Sequence, residues 1–260
     1  MTVSIKSFLK KLLPAPAYRL MWCLIHVKDI FASAGFIFNR NLGISLCQRI
    51  SLVSSFYKAS ICIESPHTQR EILHMVKTIL TLPRDRQGAV VEAGCFKGSS
   101  TAKFSLAAKL AGRELIVFDS FAGIPDNNEL HDTNIYGKDA YFGRGDYCGP
   151  IDEVKANVEK YGAIECCTFI KGWFDDTMPG FDRRLAAVYI DVDLASSTRT
   201  CIRYLYPLLA PGGMFYSQDG HLPLVIDVFD NDDFWKNSVG CSKPAVRGLG
   251  THKLLQICKE

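Results

Sequence analysis

Two rhythms of apolar and polar positions alternate along this chain. Short unbroken apolar runs recur at Ala89-Val90-Val91, Leu115-Ile116-Val117-Phe118, 167–171, Ala186–Ile190, Met214–Ser217 and 253–258. Runs of this length, bounded by turn residues, predict buried strands. Between them, apolar residues fall three and four apart, which predicts helices near 99–111, 153–161, from Ser196 or Ser197 through Leu208, and 222–235. Thr68 is expected to cap a further helix through Ile79, ended by Leu82-Pro83. Gly112 is expected to end the second helix, Asp152 to cap the third, and Pro211-Gly212-Gly213 to break the fourth. Such alternation predicts an α/β fold, a doubly wound, mostly parallel Rossmann-like sheet with all strand carboxyl ends on one edge.

Two segments depart from this rhythm. Residues 121–150 carry Gly123, Gly137, Gly143, Gly145 and Gly149 among polar residues and Tyr136, Tyr141, Phe142 and Tyr147. A connection this long is expected to be a lid over a site. Residues 1–63 read as a basic, apolar helical extension, with Phe8, Leu9, Leu12 and Leu13 and then Tyr18 to Ile30 in loose helical spacing. The domain proper is expected over 64–260.

Charge sharpens that division. Residues 1–60 hold eight Lys/Arg against Asp29 alone, a balance of +7, and the rest of the chain balances at −4 to give the net +3. Nucleic acid is not expected as a partner. A peripheral contact of residues 1–60 with anionic lipid, or a homodimer made through them, is. The stretch Leu20 to Phe38 is interrupted by His26, Lys28 and Asp29, so it falls short of the roughly 20 apolar residues of a membrane span. Ala32-Ser33-Ala34 resembles a signal cleavage site, but charges at 19, 28 and 29 spoil the apolar region before it. The ten cysteines include no C-x-x-C. They read as reduced thiols, and a cytoplasmic location is expected, with membrane association as the alternative.

The candidate chemistry sits where the strands end. Glu92-Ala93-Gly94-Cys95-Phe96-Lys97-Gly98-Ser99 is a strand end, a glycine turn and a helix start. The spacing Gly94-x-x-x-Gly98 lacks the G-x-G-x-x-G of a dinucleotide site. Glu92 would repel a pyrophosphate and favour an ammonium group, which points to S-adenosylmethionine. Asp119, after the second strand, would accept hydrogen bonds from ribose hydroxyls. Asp191, Asp193 and Asp219 lie at the ends of neighbouring strands and would converge beside this turn. Carboxylates so close repel unless a cation lies among them, and Mg²⁺ with its oxygen ligands answers that need. His221, next to Asp219 in the turn, is a candidate base. His67, His74, His131 and His252 have no comparable context.

Taken together these motifs resemble the macrocin O-methyltransferase group of class I S-adenosylmethionine-dependent enzymes. The resemblance covers about residues 64–258. It is carried by 92–98, by Phe118-Asp119-Ser120-Phe121-Ala122-Gly123-Ile124-Pro125, by Lys171-Gly172-Trp173-Phe174-Asp175-Asp176-Thr177-Met178-Pro179, by Asp191-Val192-Asp193-Leu194, and by Pro211-Gly212-Gly213 leading to Gln218-Asp219. It implies Mg²⁺-assisted methylation of a sugar hydroxyl in a glycoside, glycolipid or polysaccharide precursor. It implies Asp191 and Asp219 as metal ligands and Asp193 as base. Glu92, Gly94, Asp119 and Ser120 would hold the cofactor, with Gly172 and Trp173 near its adenine; Lys97, Gly98, Ser99 and Asp191 join the expected cofactor set. The family's paired aspartates are here Gln218 and Asp219, so Gln218 would ligate through its carbonyl. Ala195 replaces a common tyrosine. Two alternatives follow: a metal-independent enzyme with His221 as base, or a non-catalytic membrane-associated protein that keeps the fold.

Overall fold

The computed structural model describes residues 13–83 and 88–260. The helical rhythm at Phe8, Leu9 and Leu12, and Lys6, Lys10 and Lys11 beside it, lie outside the described residues. The apolar runs become β1 (Ala89–Ala93), β2 (Leu115–Asp119), β3 (Cys167–Lys171), β4 (Leu185–Ile190), β5 (Leu209–Ser217) and β6 (Leu255–Cys258). They form one sheet in the order β3-β2-β1-β4-β5-β6. β1 to β5 run parallel, and β6 pairs antiparallel with β5. The chain starts mid-sheet, winds out through β2 and β3, then returns to β4 and winds the other way. β1 and β4 are therefore neighbours at the reversal, where such sheets open a crevice beyond their carboxyl ends. The α/β expectation is met.

The helices are α1 (Ala15–Ile25), α2 (Val27–Phe38), α3 (Leu46–Cys62), α4 (Gln69–Thr81), α5 (Ser99–Ala111), α6 (Ile151–Tyr161), α7 (Phe174–Thr177), α8 (Ala195–Leu205) and α9 (Pro223–Asp230). α4 starts where Thr68 predicts. The Thr68 hydroxyl accepts from the Glu71 N–H, and the Glu71 carboxylate accepts from the Thr68 N–H at 2.8 Å. α6 begins at Ile151 with Pro150 at its cap, so Asp152 sits in the first turn rather than capping it. Pro211-Gly212-Gly213 does not simply end a helix. Leu185 pairs with Leu209 and Ala187 with Met214, so β5 carries three extra residues here and bulges away from β4.

Two cores follow from the pleat. Val90, Val117, Tyr189 and Tyr216 face one layer, with Ile72, Met75 and Phe104. Val91, Phe118, Val188 and Phe215 face the other, with Ile202, Val225 and Trp235. Phe36, Leu52, Val53 and Phe56 of the N-terminal helices belong to the first core. Asp29 of α2 fastens them further, since its buried carboxylate accepts from the N–H groups of Gln69 at 3.0 Å and Arg70 at 3.1 Å. The outer side of α2 leaves Phe31 and Phe38 more than 70% exposed. Among the described residues no helix is long and apolar enough to cross a membrane.

The 121–150 segment is irregular but fastened. Glu129 accepts from the backbone N–H of Ala195 at 2.6 Å and Ser196 at 2.8 Å, so a lid carboxylate caps α8. The sequence-expected cap, Ser196 or Ser197, plays no such part. The Ile135 N–H donates to the His221 carbonyl at 2.9 Å. A Cβ on Gly149 would lie 1.9 Å from the Phe96 carbonyl oxygen, so only glycine lets the lid's end lie on the cofactor turn.

Burial works against ionisation of Glu129, but hydrogen bonds from Ser196, Ala195 and His131 outweigh it and hold the carboxyl below its ordinary value. Its contribution is therefore full above the unfolded pKa and fades as pH falls through the folded one. Glu129→Ala should cost about 1 kcal/mol at pH 7, the usual worth of a helix cap, and less near pH 3. Urea unfolding of both proteins at the two pH values checks this; an equal cost at both would refute the carboxylate cap.

Candidate active site

Carboxyl ends of β1, β2, β4 and β5 open into a cavity of about 320 Å³ that the lid covers. Gly94, Asp119, Ser120, Gly172 and Trp173, five of the residues expected to hold a cofactor, line one side of it. Gly94 has φ 82° and packs its backbone against the Asp191 carbonyl, where a Cβ would come within 1.9 Å. That contact closes the crevice between β1 and β4. Asp119 is fixed by the Cys95 and Phe121 N–H groups, both at 2.7 Å. Burial nonetheless pushes its carboxyl above the usual range, since the hydrogen bonds from Cys95, Phe121 and Phe96 only partly offset it.

Four members of the expected cofactor set do not line the cavity: Glu92, Lys97, Gly98 and Ser99. The reason is the pleat. Val91 and Ala93 face one side of β1, so Glu92 faces the other and lies wholly buried under α5, where Thr101 donates to it at 2.6 Å. Lys97 turns to Glu64 at 2.9 Å. Gly98, φ 79°, caps α5 on the left-handed side, and Ser99 is buried in that helix's first turn.

Asp191, Asp193 and Asp219 do converge, each with an oxygen within 4.8 Å of the others. β4 ends at Ile190, and the chain turns at Asp193 with φ 59°, a conformation few non-glycine residues adopt. Asp219 accepts from the N–H groups of Val192 at 2.9 Å and Asp193 at 3.0 Å, while its Oδ1 has no partner. Burial, then the charge of Asp191, pushes Asp219 up to about 8. Burial and the charges of Asp219 and Asp191 push Asp193 well above the carboxylate range. Gln218 is not among them. It follows Tyr216 at a spacing of two, so it shares that residue's face, away from Asp219, and its Oε1 accepts from the buried Tyr189 hydroxyl at 3.1 Å. The expected Gln218 metal ligand is thus turned into the first core.

Two cations or donors reach the cluster that the sequence did not single out. His67 Nε2 lies 2.6 Å from Asp191 Oδ2. Burial would raise Asp191, but His67, Lys253 and Asp219 together hold it below its ordinary value. Lys253, in the turn before β6, lines the cavity. Burial works against its charge, but Glu71, Asp191, Asp219 and Asp193 keep its pKa above that of an ordinary lysine. The Thr68 capping box was the available sign for His67, since it puts that residue at a helix entrance; nothing local marks Lys253. His221 lines the cavity as expected. Burial and the Lys253 charge push its imidazole down to about 4.

Phe96, Phe121, Tyr147 and Asp193 are the non-glycine residues with positive φ among the described residues, at 48°, 55°, 54° and 59°. Phe96, Tyr147 and Asp193 line this cavity. Strain concentrated in one place is a usual mark of a functional site.

Comparison with known proteins agrees with this geometry. The family model described as Macrocin-O-methyltransferase (TylF) matches residues 69–233. The 8-demethyl-8-(2,3-dimethoxy-alpha-L-rhamnosyl)-tetracenomycin-C 4'-O-methyltransferase of Streptomyces olivaceus is 33% identical over 147 residues, 51% of this chain and 52% of that protein. The mycinamicin III 3''-O-methyltransferase of Micromonospora griseorubida is 31% identical over 147 residues, 52% of this chain and 56% of that protein. The chain thus spans about half the length of the curated relatives it matches. Among solved structures, the O-methyltransferase NovP superposes with a TM-score of 0.58 at 22% identity, covering 74% of this chain and 81% of its own. The calicheamicin methyltransferase CalS11 gives 0.57 at 16% identity, covering 89% and 91%. These two likenesses establish the fold.

Glu92 offers a test that does not depend on any ligand. Burial raises its carboxyl to about 8, against an unfolded value near 4.5. Its favourable contribution is complete below 4.5 and is lost as pH rises through about 8. Glu92→Gln, which cannot ionise, should therefore gain thermal stability relative to the natural protein between pH 5 and pH 8.5. A melting-temperature difference that stays flat over this range would contradict the burial assignment.

Proposed function

Because this chain belongs to the macrocin O-methyltransferase family, we propose that it transfers the methyl group of S-adenosylmethionine to a sugar hydroxyl of a glycoside, glycolipid or polysaccharide precursor. One observation carries the reading: the strained Asp193 and its two carboxylate neighbours share a single covered cavity with Gly94, Asp119 and Trp173. The relatives' names support the acceptor class, since one specifies a rhamnosyl compound methylated at 4' and another a 3'' position.

The cofactor-side groups suit a nucleoside. Asp119 keeps acceptor capacity for ribose hydroxyls after its two backbone hydrogen bonds. Trp173, 41% exposed, offers an aromatic face to an adenine. Bound there, S-adenosylmethionine supplies an electrophilic methyl carbon on a sulfonium. Asp193 would accept the proton that the acceptor hydroxyl gives up when its oxygen is methylated. Asp193 suits the role better than His221. Burial and its carboxylate neighbours raise its affinity for a proton, while an imidazole lowered to about 4 holds a proton poorly. Lid residues Tyr141, Phe142 and Tyr147 keep water from the reacting atoms.

The donor set also fits Mg²⁺. Three carboxylates lie close enough to share one cation, and Asp219 Oδ1 is buried without a partner. Asp191 and Asp219 would hold the ion, whose charge lowers the pKa of an acceptor hydroxyl. A second reading has its own observation. Lys253 already faces the three carboxylates, and His67 already binds Asp191. These two ease the repulsion within the cluster without a metal. The exposed Phe31 and Phe38, on the helix that carries the exposed Lys28, support the peripheral contact expected of the N-terminal helices.

Three measurements test this. Calorimetric titration should show micromolar binding of S-adenosylhomocysteine. Asp193→Asn should lower turnover by about 100-fold or more, the usual worth of a general base, with that binding unchanged; a variant of normal turnover would remove Asp193 from the chemistry. EDTA should abolish activity, and added Mg²⁺ should restore it, whereas full activity in EDTA would favour the Lys253 reading.

A further inference from the structure

Helix α2 reverses the usual arrangement of a surface helix. Its buried side carries Asp29, Ser33 and Phe36. Two of these three are polar, and both are engaged. Asp29 accepts from the N–H groups of Gln69 and Arg70, and Ser33 Oγ lies 3.2 Å from the Tyr57 hydroxyl. The apolar residues are on the outer side. Val27, Phe31 and Phe38, four and seven residues apart, share one stripe and are 55%, 72% and 76% exposed. Ile30 flanks the stripe at 46%. A helix on the surface of a globular protein ordinarily turns its polar side to water.

Exposure of this kind is not general in the molecule. Among the described residues, every other large apolar side chain so exposed sits on the neighbouring helices α1 and α3, in the lid, or at Trp173 on the active cavity. Aromatics of the lid and the cavity have an occupant in the methyl-transfer reading. The stripe on α2 has none.

Charge selects the occupant. Lys28 stands at one end of the stripe and Arg40 just past the other, and both are exposed, as is Lys58 on α3. Asp29 is the single acid before Glu64 in the sequence, and it is buried. Over residues 13–63, every exposed Lys, Arg, Asp or Glu is therefore a base. The sequence adds Lys6, Lys10 and Lys11 ahead of α1. A second copy meeting this face with its own would set these cations against one another, because a two-fold contact brings a patch onto itself. An anionic bilayer meets both features at once: acyl chains receive the stripe, and headgroups pair with the flanking bases. With 12 residues, α2 is about 18 Å long, against about 30 Å of hydrocarbon, so it would lie in the plane of the interface.

From these observations we propose that the outer side of α2 is a docking surface for a bilayer bearing anionic phospholipid, with Val27, Phe31 and Phe38 among the acyl chains and Lys28 and Arg40 at the headgroups. Of the two partners that the sequence suggests for this segment, lipid fits and a second copy does not. The proposal goes beyond the methyl-transfer reading and does not rest on it.

Flotation of the full-length protein with phospholipid vesicles tests it. The protein should float with vesicles of phosphatidylcholine and phosphatidylglycerol in equal parts, less so as salt is added, and should stay behind with phosphatidylcholine alone. Replacing both rings, Phe31→Ser with Phe38→Ser, should weaken partitioning by about tenfold or more, with the melting temperature and S-adenosylhomocysteine binding as in the natural protein. Lys28→Glu with Arg40→Glu should also weaken it by about tenfold or more, and decides the matter if the double serine variant does not fold. No flotation, equal flotation with neutral vesicles, or flotation unchanged in both variants overturns the surface. Sedimentation velocity addresses the other occupant. A monomer is expected without vesicles, and a dimer that the two serines dissociate overturns the proposal and gives the stripe to a second copy. Absence of S-adenosylhomocysteine binding in the natural protein would overturn the methyl-transfer reading and leave the flotation result intact.

Discussion

Three carboxylates brought within 4.8 Å of one another on a sheet edge repel, and burial strengthens the repulsion. Much of the surrounding architecture answers that constraint. Two backbone N–H groups are turned onto Asp219, which requires Asp193 to take its left-handed conformation. The entrance to α4 delivers His67 to Asp191. The turn before β6 delivers Lys253. The cluster thus draws on four separated stretches of chain. None of them has a local reason to meet the others, and the sheet order is what brings them together.

Strand ends were legible because a short apolar run closed by an acid is a local signal. Asp119, Asp191, Asp193 and Asp219 all reach the cavity as that signal predicts. What was not legible is direction. Glu92 and Gln218 stand next to the right residues, yet the two-residue period of a strand turns them into the first core. Reading the pleat from Tyr216 and Val91 would have caught both. His67, Lys253 and Glu129 were missed for another reason: each acts on partners far along the chain, Asp191 for His67 and Ala195 for Glu129, both at 2.6 Å, and the three aspartates for Lys253. Nothing within a local window marks such a pairing.

The N-terminal helices are bound into the fold by the same kind of distant tie. Phe36 and Phe56 enter the core beneath the sheet, and Asp29 caps a helix 40 residues further on. α4 consequently depends on them at the same end at which it holds His67 against Asp191.

The lid is held differently. Its fastenings are the Glu129 cap, one backbone hydrogen bond to His221, and the close seating of Gly149 on the cofactor turn. All three use the framework's main chain, and the lid contributes one carboxylate, one amide and one missing side chain. The tip between 130 and 142 carries the aromatic surface and is held by the Ile135 amide, by His131 against Glu129 and by Ala140 in the second core. The surface over the cavity is therefore separable from the edge beneath it: exposed tip residues such as Tyr136 and Tyr141 can change by ordinary drift while the three carboxylates stay where they are.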